Sequence, residues 1–220
     1  VEFEQFGMSM EEAKEKFWEG TEIIFKAWSQ EKFSHHGKHY HFDNISLYMQ
    51  PLQKPMPPTW LAASSDETLI KAGQMGLPMM GIPFARSQNL ADVRAKNDLY
   101  ANSLAQAGHS GKPNILVAMH FYLHQNEQAA VAGARPYFER AISFHKTHRR
   151  PGSKIPQFDN IKQERLALFT TPQDTVAILR EYEKIGVTHV IAMVNFGGVP
   201  MGDVRRTLEL MSKEVFPKFK

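Results

Sequence analysis

The chain has 220 residues, of which 42% are hydrophobic and 22% charged, and its formal net charge is only +3. This composition is typical of a globular protein with one core, and so small a charge does not indicate a nucleic-acid partner. The sequence has no cysteine, which excludes disulfides, thiolate metal ligands and cysteine nucleophiles and predicts a reducing, cytoplasmic location. No apolar run approaches the roughly 18 residues of a membrane span.

The first sixty residues predict a helix followed by a β-hairpin. Ser9 to Glu12 has the pattern of a capping box, and apolar residues then recur at helical spacing as far as Trp28. Phe33 to Ile45 alternates in character around a turn at Gly37 and Lys38, which is typical of a hairpin.

The predicted hairpin carries a cluster of four histidines: His35, His36, His39 and His41. Alternation places His39 and His41 on one face, so a transition-metal site is an alternative. However, no carboxylate or thiol lies at a spacing that would complete a set of metal ligands. We therefore predict a packing hairpin without a metal.

The stretch from Thr59 to Thr68 predicts a buried strand, a tight turn and the start of a helix. Pro57 and Pro58 end the preceding segment, and a short apolar run follows. Ser65 and Thr68 then fall in the first helical turn, where unpartnered N–H groups and the helix dipole favour an anion. The alternative is a plain helix cap, because serine and aspartate cap many helices.

The remaining chain predicts four buried strands that alternate with helices, with two helices after the third strand. The strands are expected at 60–63, 77–82, 114–123 and 187–194, and the helices at 66–75, 89–107, 127–144, 172–186 and 203–215. Continuous apolar strands alternating with helices indicate a parallel sheet covered on both faces. Polar residues and glycines follow the strand ends, at the edge where such sheets bind ligands.

A basic, irregular stretch from Lys146 to about Asn160 is too long for an ordinary connection. It carries several charges, Gly152 and few apolar anchors. We therefore expect a mobile lid or loop.

Several segments, in this order, resemble the bacterial luciferase-like flavin-dependent monooxygenases, which are TIM barrels. The strongest match is Thr68 to Met79, with the Ala-Ala-Ser-Ser run before it. Gly37 to Phe42, Gln53 to Pro58, Asn195 to Pro200 and Glu214 to Pro217 agree with the same family pattern.

The resemblance implies a flavin site made of Ala63, Ser64, Ser65, Thr68, Met80 and Ile82. In the family pattern, Ala63 and Ser64 would line the isoalloxazine ring, and the hydroxyls of Ser65 and Thr68 would hold the FMN phosphate. Asn195 and Phe196 would line the substrate pocket. Luciferase itself has glutamate in place of Ser64 and tryptophan near Ile82, so the resemblance is to the wider family and not to the light-emitting enzyme.

The resemblance covers only the second half of the family's barrel. It implies a TIM (β/α)8-type fold with the last four βα units and a β-hairpin insertion, in a single domain of residues 1–220. Open sheet edges and an open apolar interior predict a homo-oligomer or a partner that supplies the first half. The start at Val1 is not a natural initiation and predicts a fragment.

The implied function is a monooxygenase that uses reduced FMN and O₂ to oxygenate a small organic substrate, with a flavin reductase as partner. We expect a family enzyme, but we assign no activity to this fragment by itself. One alternative is a deazaflavin-dependent oxidoreductase of the same superfamily. The other is a non-catalytic half-barrel that acts as an assembly subunit.

Overall fold

A computed structural model of the chain describes residues 2–63, 65–146 and 157–219. These residues divide into two compact units, Val1–Thr59 and Trp60–Lys220. The prediction of a single domain stays a prediction. Among the described residues, every helix is too short or too polar to traverse a lipid bilayer.

The first unit contains two helices and a two-stranded antiparallel sheet: α1 (Glu2–Gln5), α2 (Met10–Ser29), β1 (Phe33–His36) and β2 (His41–Ile45). The Ser9 side chain accepts a hydrogen bond of 3.0 Å from the Glu12 N–H, which confirms the predicted start of α2. The two strands pair from Phe33–Ile45 to His36–His41, which confirms the hairpin.

The Glu19 carboxylate joins helix α2 to the hairpin. It accepts hydrogen bonds from the backbone N–H groups of Tyr40 at 2.9 Å and His39 at 3.0 Å, and it lies 3.0 Å from His35 Nε2. Burial acts to raise the pKa of Glu19, but these hydrogen bonds outweigh it and lower the pKa to about 2. Among the described residues, no three potential metal ligands converge on one point.

The second unit is a parallel sheet with helices connecting its strands. Its elements, in chain order, are β3 (Leu61–Ala62), α3 (Asp66–Gln74), β4 (Met79–Gly81), α4 (Pro83–Arg86), α5 (Leu90–Gln106), β5 (Ile115–Leu123), α6 (Glu127–Lys146), α7 (Phe158–Gln163), β6 (Leu168–Thr170), α8 (Pro172–Lys184), β7 (His189–Met193), α9 (Met201–Leu210), a π-helical segment (Met211–Val215) and a 3-10 turn (Phe216–Phe219).

Strand β5 is the centre of this sheet. Strands β3, β4 and β5 are neighbours in that order, and β5 also pairs with β7 and, at its carboxyl end, with β6. All of these pairs are parallel, so the α/β class with a parallel sheet is confirmed. The described strands form an open sheet, and its assignment to half of a barrel stays a proposal.

Two sequence-based expectations about the middle of the chain are wrong. Strand β6 was not predicted, so the sheet has five strands instead of four. The segment expected to be irregular as far as Asn160 contains helix α7, which begins at Phe158. Burial of Phe158 and Ile161 explains why this short helix forms. The rest of that segment, residues 147–156, lies outside the described residues.

The two faces of the sheet differ in burial. Alternate strand residues pack under the helices, and we call this the helix-covered face: Leu61, Ala63, Met79, Ile115, Val117, Met119 and Phe121. The intervening residues form the opposite surface, which we call the open face: Ala62, Met80, Leu116, Ala118, His120, His189, Ile191 and Met193. Apart from Ala118, every residue of the open face is half-buried or exposed.

Candidate functional site

The carboxyl ends of β3, β4, β5 and β7 lie at one edge of the sheet because these strands are parallel. The predicted site residues all lie in or just after those strands. Parallel pairing therefore brings segments that are more than one hundred residues apart in sequence to the same edge.

The first turn of α3 contains two hydroxyl groups that contact each other. Ser65 Oγ lies 2.9 Å from Thr68 Oγ1 and accepts a hydrogen bond of 3.3 Å from the Thr68 N–H. Both residues are half-buried, whereas Asp66 and Glu67 are exposed. The N–H groups of a first helical turn have no carbonyl partner within the helix, so this turn presents donors and hydroxyls together. Ser64, the residue before it, lies outside the described residues.

The other predicted flavin-contacting residues lie on two different faces of the sheet. Met80 is half-buried on the open face, and Ile82, two residues further along, is 41% exposed. Ala63 is buried on the helix-covered face, and its N–H donates to the Met80 carbonyl at 2.9 Å. Alternation therefore places Met80 and the Ala63 side chain on opposite faces, and Ile82, just after β4, lines a cleft together with Ala63.

A cleft behind the strand ends is lined in part by cationic residues. Ala63, Leu69, Ile82 and Arg86 line it together with residues of α5. The Arg86 side chain is exposed, and its backbone carbonyl accepts a 2.8 Å hydrogen bond from the Lys96 ammonium group. Because Ala63 and Leu69 flank the first turn of α3, this cleft lies next to that turn, and two cationic residues, Arg86 and Lys96, are among those that line it.

The loop after β7 contributes an aromatic ring instead of an open pocket. Phe196 is buried, and its ring centroid lies 4.8 Å from His120 and 6.0 Å from Phe169. Asn195 is exposed. The structure separates the two predicted pocket residues into a buried wall and an exposed polar group.

Gly197 allows this loop to approach helix α6 closely. Its φ is +56°, and a Cβ atom built there would lie 1.8 Å from the carbonyl oxygen of Tyr137. No side chain fits at that position without moving the backbone. The glycine therefore holds Phe196 against the aromatic side chains beneath it.

An aromatic cluster around His120 was missed by the sequence analysis. The imidazole centroid lies 5.2 Å from Phe84, 5.1 Å from Phe138 and 4.8 Å from Phe196. One signal was available, because alternation along β5 places His120 on the same face as Leu116 and Ala118. A single histidine in an otherwise apolar strand is a recognisable candidate for a residue of the functional site.

A partly buried polar network involves Tyr122, two residues after His120. The Tyr122 hydroxyl donates to the Asp203 carboxylate at 2.7 Å, and the Arg206 guanidinium lies 2.6 Å from the other carboxylate oxygen. The hydrogen bond from Tyr122 and then the contact with Arg206 lower the pKa of Asp203. Burial, followed by the bond to Asp203, raises the pKa of the Tyr122 hydroxyl. The network fixes the start of helix α9, which directly follows the loop that carries Phe196.

Residues 1–189 match the family model described as luciferase-like monooxygenase. The chain belongs to this family. A curated family relative, the oxygenase component of flavin-dependent trigonelline monooxygenase from Acinetobacter baylyi, is 23% identical over 232 residues. That alignment covers 97% of this chain and 62% of the relative.

Solved structures of luciferase-like proteins share the fold of this chain. The monooxygenase RslO1 from Streptomyces bottropensis has a TM-score of 0.85 at 22% identity, over 100% of this chain and 65% of its own. The coenzyme F420-dependent tetrahydromethanopterin reductase from Methanopyrus kandleri has a TM-score of 0.70 at 18% identity, over 94% and 63%.

A third structure contains a flavin. The oxygenating constituent of 3,6-diketocamphane monooxygenase from Pseudomonas putida, in complex with FMN, has a TM-score of 0.65 at 17% identity, over 91% of this chain and 62% of its own. At these identities the structures establish the fold alone. The chain spans between 62% and 65% of the length of these four proteins.

Proposed function

We propose that this chain is the flavin-binding part of a monooxygenase that uses reduced FMN and O₂ to oxygenate a small organic substrate. The observation that carries this proposal is the pair of hydroxyls, Ser65 and Thr68, at the first turn of α3. This turn follows a parallel strand at the carboxyl edge of the sheet in a member of the luciferase-like family.

The residues at this turn fit the phosphate of FMN. Two hydroxyls and the first N–H groups of α3 form a donor set suited to a dianion, which gains charge-assisted hydrogen bonds. Asp66 and Glu67 are exposed, so water and salt screen the negative charge of their carboxylates near a phosphate. Arg86 and Lys96 line the adjacent cleft and would add positive charge near the phosphate. Met80 and Ile82 provide an apolar surface for the flavin ring.

Reduced FMN, when bound, would supply the reaction with O₂, which no side chain of the chain performs. The side chains of this chain would bind and orient the cofactor. Ser65 and Thr68 would anchor the phosphate, and Met80 and Ile82 would exclude water from one side of the ring. Phe196 would form the inner wall of the substrate pocket, with Asn195 at its mouth. Ala63 and Ser64 would complete the binding turn.

A deazaflavin is the second candidate cofactor. It is favoured by the shared fold with the F420-dependent reductase of Methanopyrus kandleri. FMN is favoured by the FMN complex of the diketocamphane monooxygenase and by the flavin dependence named for the trigonelline enzyme. Separate titrations with FMN and with F420 discriminate the two, because an F420-dependent protein binds the deazaflavin more tightly.

The assembly that we propose has two kinds of partner. A flavin reductase would supply the reduced cofactor, which is supported by the naming of the Acinetobacter baylyi relative as an oxygenase component. A second copy, or a polypeptide supplying further strands of the family fold, would cover the open face. We also propose that residues 1–220 act as one domain in the cytoplasm. A non-catalytic half-barrel remains the alternative to an enzyme.

Calorimetric titration with FMN tests the proposal. Loss of one hydroxyl contact is worth about 1–3 kcal/mol, so the double variant Ser65→Ala with Thr68→Ala should bind FMN roughly tenfold more weakly or worse. The matched control is Thr21→Ala with Ser29→Ala, which removes two hydroxyls that donate to carbonyls within α2. Thermal unfolding of both variants separates a lost contact from a lost helix cap.

Two outcomes contradict the proposal in different ways. Equal FMN binding by the Ser65/Thr68 variant and the wild type would place the phosphate elsewhere. No FMN binding by the folded wild type would support the non-catalytic half-barrel instead.

A further inference from the structure

His120 occupies a distinct position on the open face. It is the last residue of β5 that pairs with β7, opposite Met193, and it is half-buried. The other titratable residue of this face, His189, pairs with Leu116 at the opposite end of the strands. Of the two imidazoles, only His120 lies at the carboxyl edge, where a ligand of the proposed site would bind.

Three phenylalanine rings from three different elements hold the His120 ring. Phe138 of α6 and Phe196 of the loop after β7 are buried and meet the imidazole at 83° and 87°. Phe84 of α4 is half-buried and lies at 59° to it. The two buried rings, Phe138 and Phe196, restrict the imidazole on its core side. The accessible surface of the aromatic cluster therefore belongs to His120 and Phe84.

The open face offers a ligand very few polar contacts. Its eight residues include no aspartate, glutamate, lysine or arginine. Met80, Met193, Leu116 and Ile191 provide apolar surface, and the methionine side chains adapt to ligands of varied shape. A substrate at the carboxyl end of this surface would therefore find one hydrogen-bonding side chain of the face, His120, among apolar contacts, because His189 lies at the opposite end of the strands.

We propose that His120 contacts the substrate and selects its chemical class: an apolar molecule with a single hydrogen-bonding group, oriented with that group toward the imidazole. This inference rests on the proposed function, because it assigns a substrate to the same carboxyl edge. It adds a specificity-determining residue that is separate from the proposed flavin contacts.

The strand register separates the two parts of the site. Met80 pairs with Leu116, so Ile82 lies level with Ala118, and His120 lies two residues further along β5. At about 3.3 Å per residue, His120 is roughly 7 Å beyond the level of Ile82, toward the carboxyl edge. A flavin ring against Met80 and Ile82 would leave His120 and Phe84 available to a second ligand.

A pair of isosteric probes tests this inference in the intact chain. Acetophenone has an apolar ring and one carbonyl acceptor, and α-methylstyrene replaces that oxygen with a methylene group. We expect the wild type to bind acetophenone about fivefold to tenfold more tightly, which is the discrimination that one neutral hydrogen bond provides. The affinities are measured by NMR titration with and without FMN.

The variants are His120→Phe, His120→Gln and His189→Phe. His120→Phe keeps an aromatic ring in the cluster but removes the hydrogen-bonding group, so it should bind both probes equally. His120→Gln retains a donor and should keep part of the preference for acetophenone. His189→Phe is the matched control, since it makes the same change on the same face at the other end of the strands, and it should retain the full preference.

A measurement on the unmodified chain tests the inference even if a variant does not fold. The ring signals of His120 should shift on addition of acetophenone, and about fivefold to tenfold more α-methylstyrene should be needed for a comparable shift. The inference is wrong if acetophenone does not shift those signals, or if the folded His120→Phe variant still prefers acetophenone to α-methylstyrene. FMN titration of the same samples is independent of this readout. If the chain binds FMN but the preference for acetophenone does not depend on His120, only the inference is refuted. If the preference depends on His120 but the chain does not bind FMN, the proposed function is refuted.

Discussion

The two faces of the parallel sheet are built from the same strands and similar residues, yet along β3, β4 and β5 their exposure differs, whereas β7 is accessible on both faces. On the helix-covered face, Met119 and Ile115 are 0% and 1% exposed. On the open face, Ile191 is 44% exposed, and Ile82 at the strand end is 41% exposed. Because strand side chains alternate in direction, a one-residue step along β5, from Ile115 to Leu116 or from Met119 to His120, moves a side chain from the core to a half-buried position.

The difference shows that apolar character has two separate uses in this sheet. Residues of the helix-covered face stabilise the fold by leaving water. Contiguous exposed apolar residues on the open face contribute little to that stability and mark a surface for a ligand or another polypeptide. The polar groups to which we assign ligand binding lie at the carboxyl edge of the sheet, in His120 and in the first turn of α3.

The largest expected effect compares one truncation on each face. Met119→Ala removes a fully buried side chain and should lower the free energy of unfolding by about 2–5 kcal/mol. Ile191→Ala removes one that already contacts water and should lower it by less than about 1 kcal/mol. Urea unfolding measures both. Similar losses would show that the open face is covered and would abolish the distinction between the faces.

A smaller effect is expected at the polar network beside the open face. Tyr122 and Arg206 lower the pKa of Asp203 in the folded protein. The ionised carboxylate therefore stabilises the fold fully at pH values above its ordinary pKa of about 3.9. This stabilisation is lost as the pH falls through the lower pKa of the folded state. Asp203→Asn should therefore lower the free energy of unfolding at pH 7 by about 1–2 kcal/mol.

The pH dependence separates this effect from an apolar one. The difference between wild type and Asp203→Asn should shrink as the pH falls below about 4, whereas the loss in Met119→Ala should persist. Asp98→Asn is the control, because Asp98 is an exposed residue that pairs with Arg94 on the surface of α5 at 3.6 Å. A difference that is constant from pH 7 to pH 3 would exclude the carboxylate as its cause.

The smallest effect on stability, with a large effect on assembly, is expected for a charge on the open face. Ile191→Lys should change the free energy of unfolding by less than about 1 kcal/mol, yet it should abolish self-association at micromolar concentration. Leu208→Lys, which places the same charge on an equally exposed position of α9, should associate like the wild type. Equilibrium sedimentation distinguishes the two, and a monodisperse wild-type monomer would rule out a homo-oligomer.

Much of the secondary structure was predictable because it depends on neighbouring residues. The Ser65 side chain caps α3, and the Thr171 side chain accepts a hydrogen bond from Asp174 at the start of α8, where proline occupies the first helical turn. These caps, the hairpin and the long apolar strand β5 are set by short-range patterns. The turn of Ser65 and Thr68 was recognised for the same reason.

Strand β6 could not be identified as readily. Leu168–Thr170 is only three residues long, and it is a strand because it pairs with Phe121 to Leu123 of β5. Helix α7 likewise depends on the burial of Phe158, whose ring stacks on Phe169 at 5.0 Å. Short segments have little intrinsic preference, so their conformation follows from the partner that they contact.

The aromatic cluster and the polar network required the folded chain. His120 meets Phe84 and Phe196 across 36 and 76 residues of sequence, and Tyr122 meets Asp203 across 81. Local sequence patterns determined the elements, the carboxyl-edge turn and the family resemblance, because backbone preferences and caps act over a few residues. The pairing of parallel strands then decided which distant side chains share the site, since contacts between remote segments are not encoded in any one of them.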